Sequence, residues 1–202
     1  MRYDGPNDAA TTIILAHGAG AGMDSAPMQA FAEGLAAEGF RVARFEFPYM
    51  RRRRDTGKRG GPDRPPVLMD AWRAAIAEAG GARVVIGGKS MGGRIASMIA
   101  DEAGVAGLVC LGYPFHPPGR PDNLRIAHLA ELRTPALILQ GTRDPFGTPD
   151  EVVGYALSHA IRVVWLQDGD HSFKPRKSSG RTSAQNIAEV IAAIAAFVRG
   201  LD

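Results

Sequence analysis

The chain alternates between short, unbroken apolar runs and longer stretches whose apolar residues recur every three or four positions. The runs are Thr11–Ala16, Arg41–Phe47, Arg83–Gly87, Ala106–Leu111, Ala136–Gln140 and Ile161–Leu166. Most are continuous in Val, Ile and Leu, which predicts strands covered on both faces. Between them, Met28, Phe31, Ala32 and Leu35 keep helical spacing, and Gly39 follows as a stop. Val67 to Ala79 and Met91 to Ala103 also read as helices. In the last segment Thr182 and Gln185 form a capping-box pattern, and Ile187, Val190, Ile191, Ile194 and Val198 line one face. Strands alternating with helices predict an α/β protein, with a mainly parallel six-stranded sheet flanked by helices on both faces. No repeat or linker breaks the pattern, so a single domain over residues 1–202 is expected. Trp72 and Trp165 read as core residues. Pro48–Pro66, Gly112–Asn123 and Gln167–Gly180 read as long loops, which in a compact domain tend to carry function.

Composition narrows this picture only a little. With 45% hydrophobic and 22% charged residues the chain is an ordinary globular one. No apolar run reaches the roughly 18 residues of a membrane span. The opening MRYDGPNDAA lacks the apolar stretch of a signal peptide. The single cysteine, Cys110, lies in an apolar run and reads as a buried thiol. These features lead to the expectation of a cytoplasmic protein without a membrane partner. Arginine outnumbers lysine 20 to 4, which points to a GC-rich bacterial source. The net charge of +3 does not by itself call for nucleic acid.

The chemistry gathers where apolar runs end. Residues 87–94 read GGKSMGGR, so the run Arg83–Gly87 passes through G-x-S-x-G into a helix. Such a strand-turn-helix strains the serine backbone, demands small residues on either side, and lifts Oγ above the strand ends. Ser90 therefore reads as a nucleophile, against the alternative of a structural glycine turn. A serine hydroxyl needs a base. Of His17, His116, His128, His159 and His171, the last follows the run Ile161–Leu166 and precedes the final helix. In an open α/β sheet the site lies at the carboxyl ends of the strands, which selects His171. The base needs a carboxylate to fix its tautomer. Asp144, in GTRDPFG directly after Ala136–Gln140, fits, though an aspartate before proline also forms turns. Asp168 and Asp170 are rivals, ranked lower because they share the His171 loop.

The run Thr11–Ala16 exits into His17-Gly18-Ala19-Gly20-Ala21-Gly22. Its backbone N–H groups suit an oxyanion hole, with Ala19 and Met91 as the pair and Gly20 as substitute. The competing reading is a dinucleotide loop, but the glycines at 18, 20 and 22 miss the last position of G-x-G-x-x-G. No cofactor is needed, and no His, Cys and Asp cluster has metal-ligand spacing.

HGAGAGMDSAPM, FEFPYM, GGKSMGGR, GTRDPFG and GDHSFK together resemble a branch of the α/β-hydrolase superfamily. That branch includes bacterial hydrolases, testis-expressed protein 30 and a subunit of the NSL histone-acetyltransferase complex, and lies near the dienelactone-hydrolase-like proteins. The resemblance runs from Ile13 to the last helix. It implies an α/β-hydrolase fold with minimal or no lid, nucleophile Ser90, acid Asp144 and base His171, in the chain order of that superfamily. It implies no substrate. The chain is short for this fold, so the antiparallel strands that open the sheet are expected to be missing or reduced, leaving the strand order 2-1-3-4-5-6.

The expected reaction is acyl transfer from a small ester or thioester to water. Candidate substrate contacts are His17, Tyr49, Lys89, Tyr113, Phe115, Phe146 and Phe173. The run Met50–Arg59, with Arg51–Arg54 at its heart, reads as a solvated loop or as a lure for an anionic substrate or polyanion. Lys174, Arg176 and Lys177 add charge after His171. A protein-interaction module that acts without catalysis is the reading from another class.

Overall fold

The computed structural model describes residues 1–58, 60–81 and 83–201. Arg59, the last cation of the basic run, lies outside the described residues. The strands are β1 (Arg2–Asp4), β2 (Thr11–Ala16), β3 (Arg41–Phe45), β4 (Arg83–Lys89), β5 (Gly107–Leu111), β6 (Ala136–Gly141) and β7 (Ile161–Leu166). The helices are α1 (Ala26–Ala37), α2 (Pro48–Thr56), α3 (Pro65–Ala79), α4 (Met91–Ser97), α5 (Ala100–Ala103), α6 (Pro149–Val152) and α7 (Ser183–Arg199).

The sheet order is β1-β3-β2-β4-β5-β6-β7, and among the described residues only the β1–β3 pair is antiparallel. The six expected strands are present in the expected order, and a seventh is added. β1 has three residues and no apolar run. Besides its backbone ladder with β3 it is held by an ion pair, with Asp4 Oδ2 2.8 Å from Nη2 of the buried Arg44.

Side-chain alternation explains the unbroken apolar strands. Ile13, Leu15, Val85, Val109 and Leu137 face α1 and α7, whereas Ile14, Ile86, Leu108 and Ile138 face the side of α3 and α4. With both faces covered, the strand interiors are mostly apolar, with Arg44 and Gln140 among the buried polar exceptions. Trp72 is fully buried on the second side, but Trp165 is only half-buried, because β7 is an edge strand. Cys110 is buried as expected. The capping box of α7 is present, with Gln185 N donating to Thr182 Oγ1 at 3.2 Å and Thr182 N to Gln185 Oε1 at 2.8 Å.

Two elements differ from the sequence reading. Pro48–Pro66 is not a plain loop: Pro48 opens α2, where its missing N–H is no loss, and Gly57 closes it at φ 68°. Residues 91–103 are not one helix. Ser97 Oγ donates to Arg94 O, α4 ends, and Ile99 turns the chain before α5.

Candidate active site

β4 delivers Ser90 to the carboxyl edge of the sheet with φ 51° and ψ −114°, a conformation that a side chain rarely adopts. Ser90 N donates to Leu111 O at 2.9 Å, which ties the turn to β5. The flanking glycines are required by contact: a Cβ at Gly88 would lie 2.2 Å from Ala16 O. Small residues around the serine thus let the turn press against the end of β2.

His171 hangs from the β7–α7 connection with Nε2 2.9 Å from Ser90 Oγ. Its Nδ1 lies 2.8 Å from Oδ2 of Asp144, which is wholly buried after β6. The other carboxylate oxygen, Oδ1, accepts from Phe146 N at 2.9 Å. An acceptor at Nδ1 puts the proton there, leaving Nε2 to accept from the serine hydroxyl. The Phe146 ring packs on the imidazole, 4.2 Å between centroids. The rival carboxylates are engaged inside their own loop. Asp170 Oδ1 accepts from Ser172 N and Lys174 N, and Asp168 binds Arg176.

Two cavities meet at Ser90, and Ala19 and Phe146 line both. The first, about 400 Å³, has apolar walls from Met28, Phe31 and Phe173, and His171 opens into it. The second, about 290 Å³, is lined by Met91, Leu68, Arg94, Arg125 and Asp63. A larger cavity of about 530 Å³ lies apart, between Met1, Glu46, Arg54 and Glu78, and contains none of Ser90, His171 and Asp144. Ala19 and Gly20 border the first cavity, and their N–H groups have no protein acceptor among the described residues. Tyr49 OH donates to Ala19 O at 3.1 Å, bracing that loop from behind.

Lys89 sits beneath His171. Its Nζ is buried without a hydrogen-bond partner, 5.7 Å from the centroid of Phe173. Burial pushes the amine down to about 8, against the opposing pull of Asp144 and Asp170.

Several expected contacts are not made. His17 is fully buried: Nδ1 lies 2.7 Å from Gly18 O, and Nε2 accepts from Phe47 N at 3.1 Å. With both nitrogens engaged by backbone it braces β2 against β3 and has no face toward a substrate. Tyr49, Tyr113 and Phe115 are buried and line neither cavity at Ser90. Tyr113 OH donates instead to Arg125 O at 2.9 Å. Phe146, Phe173 and Lys89 do line the first cavity. The basic run is partly neutralised, with Arg52 paired to Asp63 and Arg54 to Glu46. Arg176 is bound to Asp168, and Lys174 and Lys177 point outward, so these cations do not ring the cleft. Met28 and Phe31 were legible only as core positions of α1. Arg94 carried a signal, one helical turn beyond Ser90; Arg125 carried none.

Residues 9–199 match the model of the alpha/beta hydrolase domain. The chain belongs to the alpha/beta hydrolase family. Solved structures of the same fold include a lidless serine hydrolase, XC6422 of Xanthomonas campestris, at 20% identity and a TM-score of 0.66, covering 98% of this chain and 86% of the other. The esterase domain of a Rhodothermus marinus protein matches at 16% identity, TM-score 0.67, over 98% and 90%. Est1E of Butyrivibrio proteoclasticus, solved with ferulic acid bound, matches at 15% identity, TM-score 0.69, over 99% and 94%. At these identities the likeness is one of fold. None of the described helices is long and apolar enough to cross a membrane.

Proposed function

We propose that the protein is a cytoplasmic serine hydrolase that cleaves a small carboxylic ester or thioester through an acyl-enzyme. The observation that carries this reading is the hydrogen-bonded chain Ser90–His171–Asp144, with Oγ open to an apolar cavity. His171 Nε2 takes the Ser90 proton as Oγ attacks the carbonyl carbon. Asp144 holds Nδ1–H and stabilises the imidazolium. The N–H groups of Ala19 and Met91, with Gly20 as substitute, receive the oxyanion. His171 then protonates the leaving oxygen, and water releases the acyl group by the same steps in reverse. The small-molecule substrate is anionic in this reading. The fold-related esterase domain of the Rhodothermus marinus protein supports the reaction class.

A serine-directed fluorophosphonate and p-nitrophenyl acetate test it together. Wild type should label and turn over, and Ser90→Ala should do neither. Folded wild-type protein inert to both reagents would put the non-catalytic interaction module first. Polyanion binding through Arg51–Arg54 has less support, since two of those arginines already hold carboxylates.

A further inference from the structure

We infer that the second cavity at Ser90 is an acyl-side subsite for a carboxylate, held by Arg94 and Arg125, so that the preferred esters carry a second acid group on the acyl chain. This rests on the serine-hydrolase reading above and adds the substrate class.

Both arginines belong to the lining of this cavity. Among the described residues neither forms an ion pair with a carboxylate. Among the described residues the Arg94 side chain reaches only Met98 Sδ, 3.9 Å from Nη1, and the Arg125 side chain has no hydrogen-bond partner. Both are half-buried and line the cavity that holds Ser90 and Met91. Burial pushes the pKa of Arg94 down, Tyr113 opposes this, and the charge of Arg125 lowers it further. An anion between the two would relieve that strain. Arg125 is also held ready: its N–H donates to Phe115 O at 2.8 Å, and its carbonyl accepts from Tyr113 OH at 2.9 Å. The two buried aromatics that miss the substrate thus fix the residue that meets it.

Asp63 lines the same cavity; its Oδ1 is held 2.5 Å from Arg52 Nη2, while its Oδ2 is buried without a partner among the described residues. Its charge lowers the positive potential, which favours a singly charged carboxylate over a doubly charged phosphate.

Geometry assigns the sides. His171 must reach the leaving oxygen, and it lines the apolar cavity but not the arginine cavity. The alcohol therefore departs through the apolar cavity and the acyl chain extends toward Arg94 and Arg125. In the full reaction a half-ester and water give the dicarboxylic acid and the alcohol. Ser90 Oγ bonds to the acyl carbon as the ester C–O bond breaks, and His171 passes the serine proton to the alcohol. Water then supplies the hydroxyl of the acid and returns a proton to Ser90.

The test compares kcat/KM for monobenzyl glutarate and monobenzyl adipate with benzyl valerate and benzyl hexanoate, and with 4-carboxybenzyl valerate, whose acid sits on the alcohol. Wild type should favour the half-esters over the neutral esters by about tenfold or more, the effect of one charge-assisted hydrogen bond. Arg94→Gln and Arg125→Gln should each reduce that ratio severalfold; Arg125→Gln reports even if Arg94→Gln folds poorly. A wild-type ratio near one, with benzyl valerate still cleaved, overturns the subsite and leaves the serine-hydrolase reading intact. A preference for 4-carboxybenzyl valerate overturns the acyl-side assignment. Cleavage of no ester, with no fluorophosphonate labelling, removes the underlying reading and this inference with it.

Discussion

Gly92 passes so close to Ala16 that a Cβ on it would lie 2.6 Å from Ala16 O and 2.7 Å from His17 O. Both are backbone atoms and cannot swing away. The contact seats the start of α4 on the end of β2, which aligns the serine turn with the glycine-rich loop. Gly92→Ala should destabilise the protein by about 1–3 kcal/mol, the usual effect of overpacking. Urea unfolding of the two proteins measures it, and equal midpoints would show that the two segments can separate freely.

Asp144 gives its two oxygens to different partners, His171 Nδ1 and Phe146 N. An asparagine keeps only one acceptor oxygen. If Oδ1 stays on Phe146 N, the amide turns its N–H toward Nδ1. The imidazole proton then moves to Nε2, where it blocks acceptance from Ser90. Asp144→Asn should lower kcat on p-nitrophenyl acetate by on the order of 10³–10⁴-fold, with the fold retained. A loss under tenfold would remove Asp144 from the role of orienting acid.

What was legible follows from which forces write themselves into a local pattern. β2 to β6 were readable because burial on both faces favours runs of apolar residues, and β7 because its Val163-Val164-Trp165-Leu166 run packs on the core despite its edge position. Ser90, Asp144 and His171 were readable because each follows a strand end in the connection where chemistry collects. β1 was not, since its three residues carry no apolar run and Arg44, the partner of Asp4, lies 40 positions away in sequence. α2 was masked by its arginines, whose partners Asp63 and Glu46 lie outside the helix. The roles of His17 and Tyr113 depend on backbone carbonyl and N–H partners brought together only by folding. The convergence of Arg94 and Arg125 joins a helix to a distant loop, which periodicity cannot show.

The Arg44–Asp4 pair adds a buried ionic link to the backbone ladder that joins β1 to β3, with Arg44 1% exposed. Its remaining Nη1 donates to Met23 O at 3.0 Å. Asp4→Ala strands a buried cation, so stability should fall by about 3 kcal/mol. Adding Arg44→Met should restore most of the loss, because the desolvated charge is then gone. Chemical denaturation of both variants checks this. A double variant as unstable as the single one would mean that the aspartate acts through something other than Arg44.

Lys89 offers the clearest pH signature. Its amine, pushed by burial from 10.5 to about 8, faces His171, Asp144 and Asp170 but donates to none of them. Between about pH 8 and 10.5 the unfolded chain holds a proton that the folded chain has released, so stability from this group rises with pH across that window. Below pH 8 both states are protonated and the folded protein carries the whole penalty, about 3 kcal/mol at 1.36 kcal/mol per pKa unit. Lys89→Met should therefore be the more stable protein at pH 7 by up to about that amount. The advantage should shrink through pH 9 and vanish above pH 10.5. Urea unfolding free energies at pH 7, 9 and 10.5 give the answer. A gap that stays constant with pH would place the Lys89 proton on the amine throughout, and the burial argument would fail.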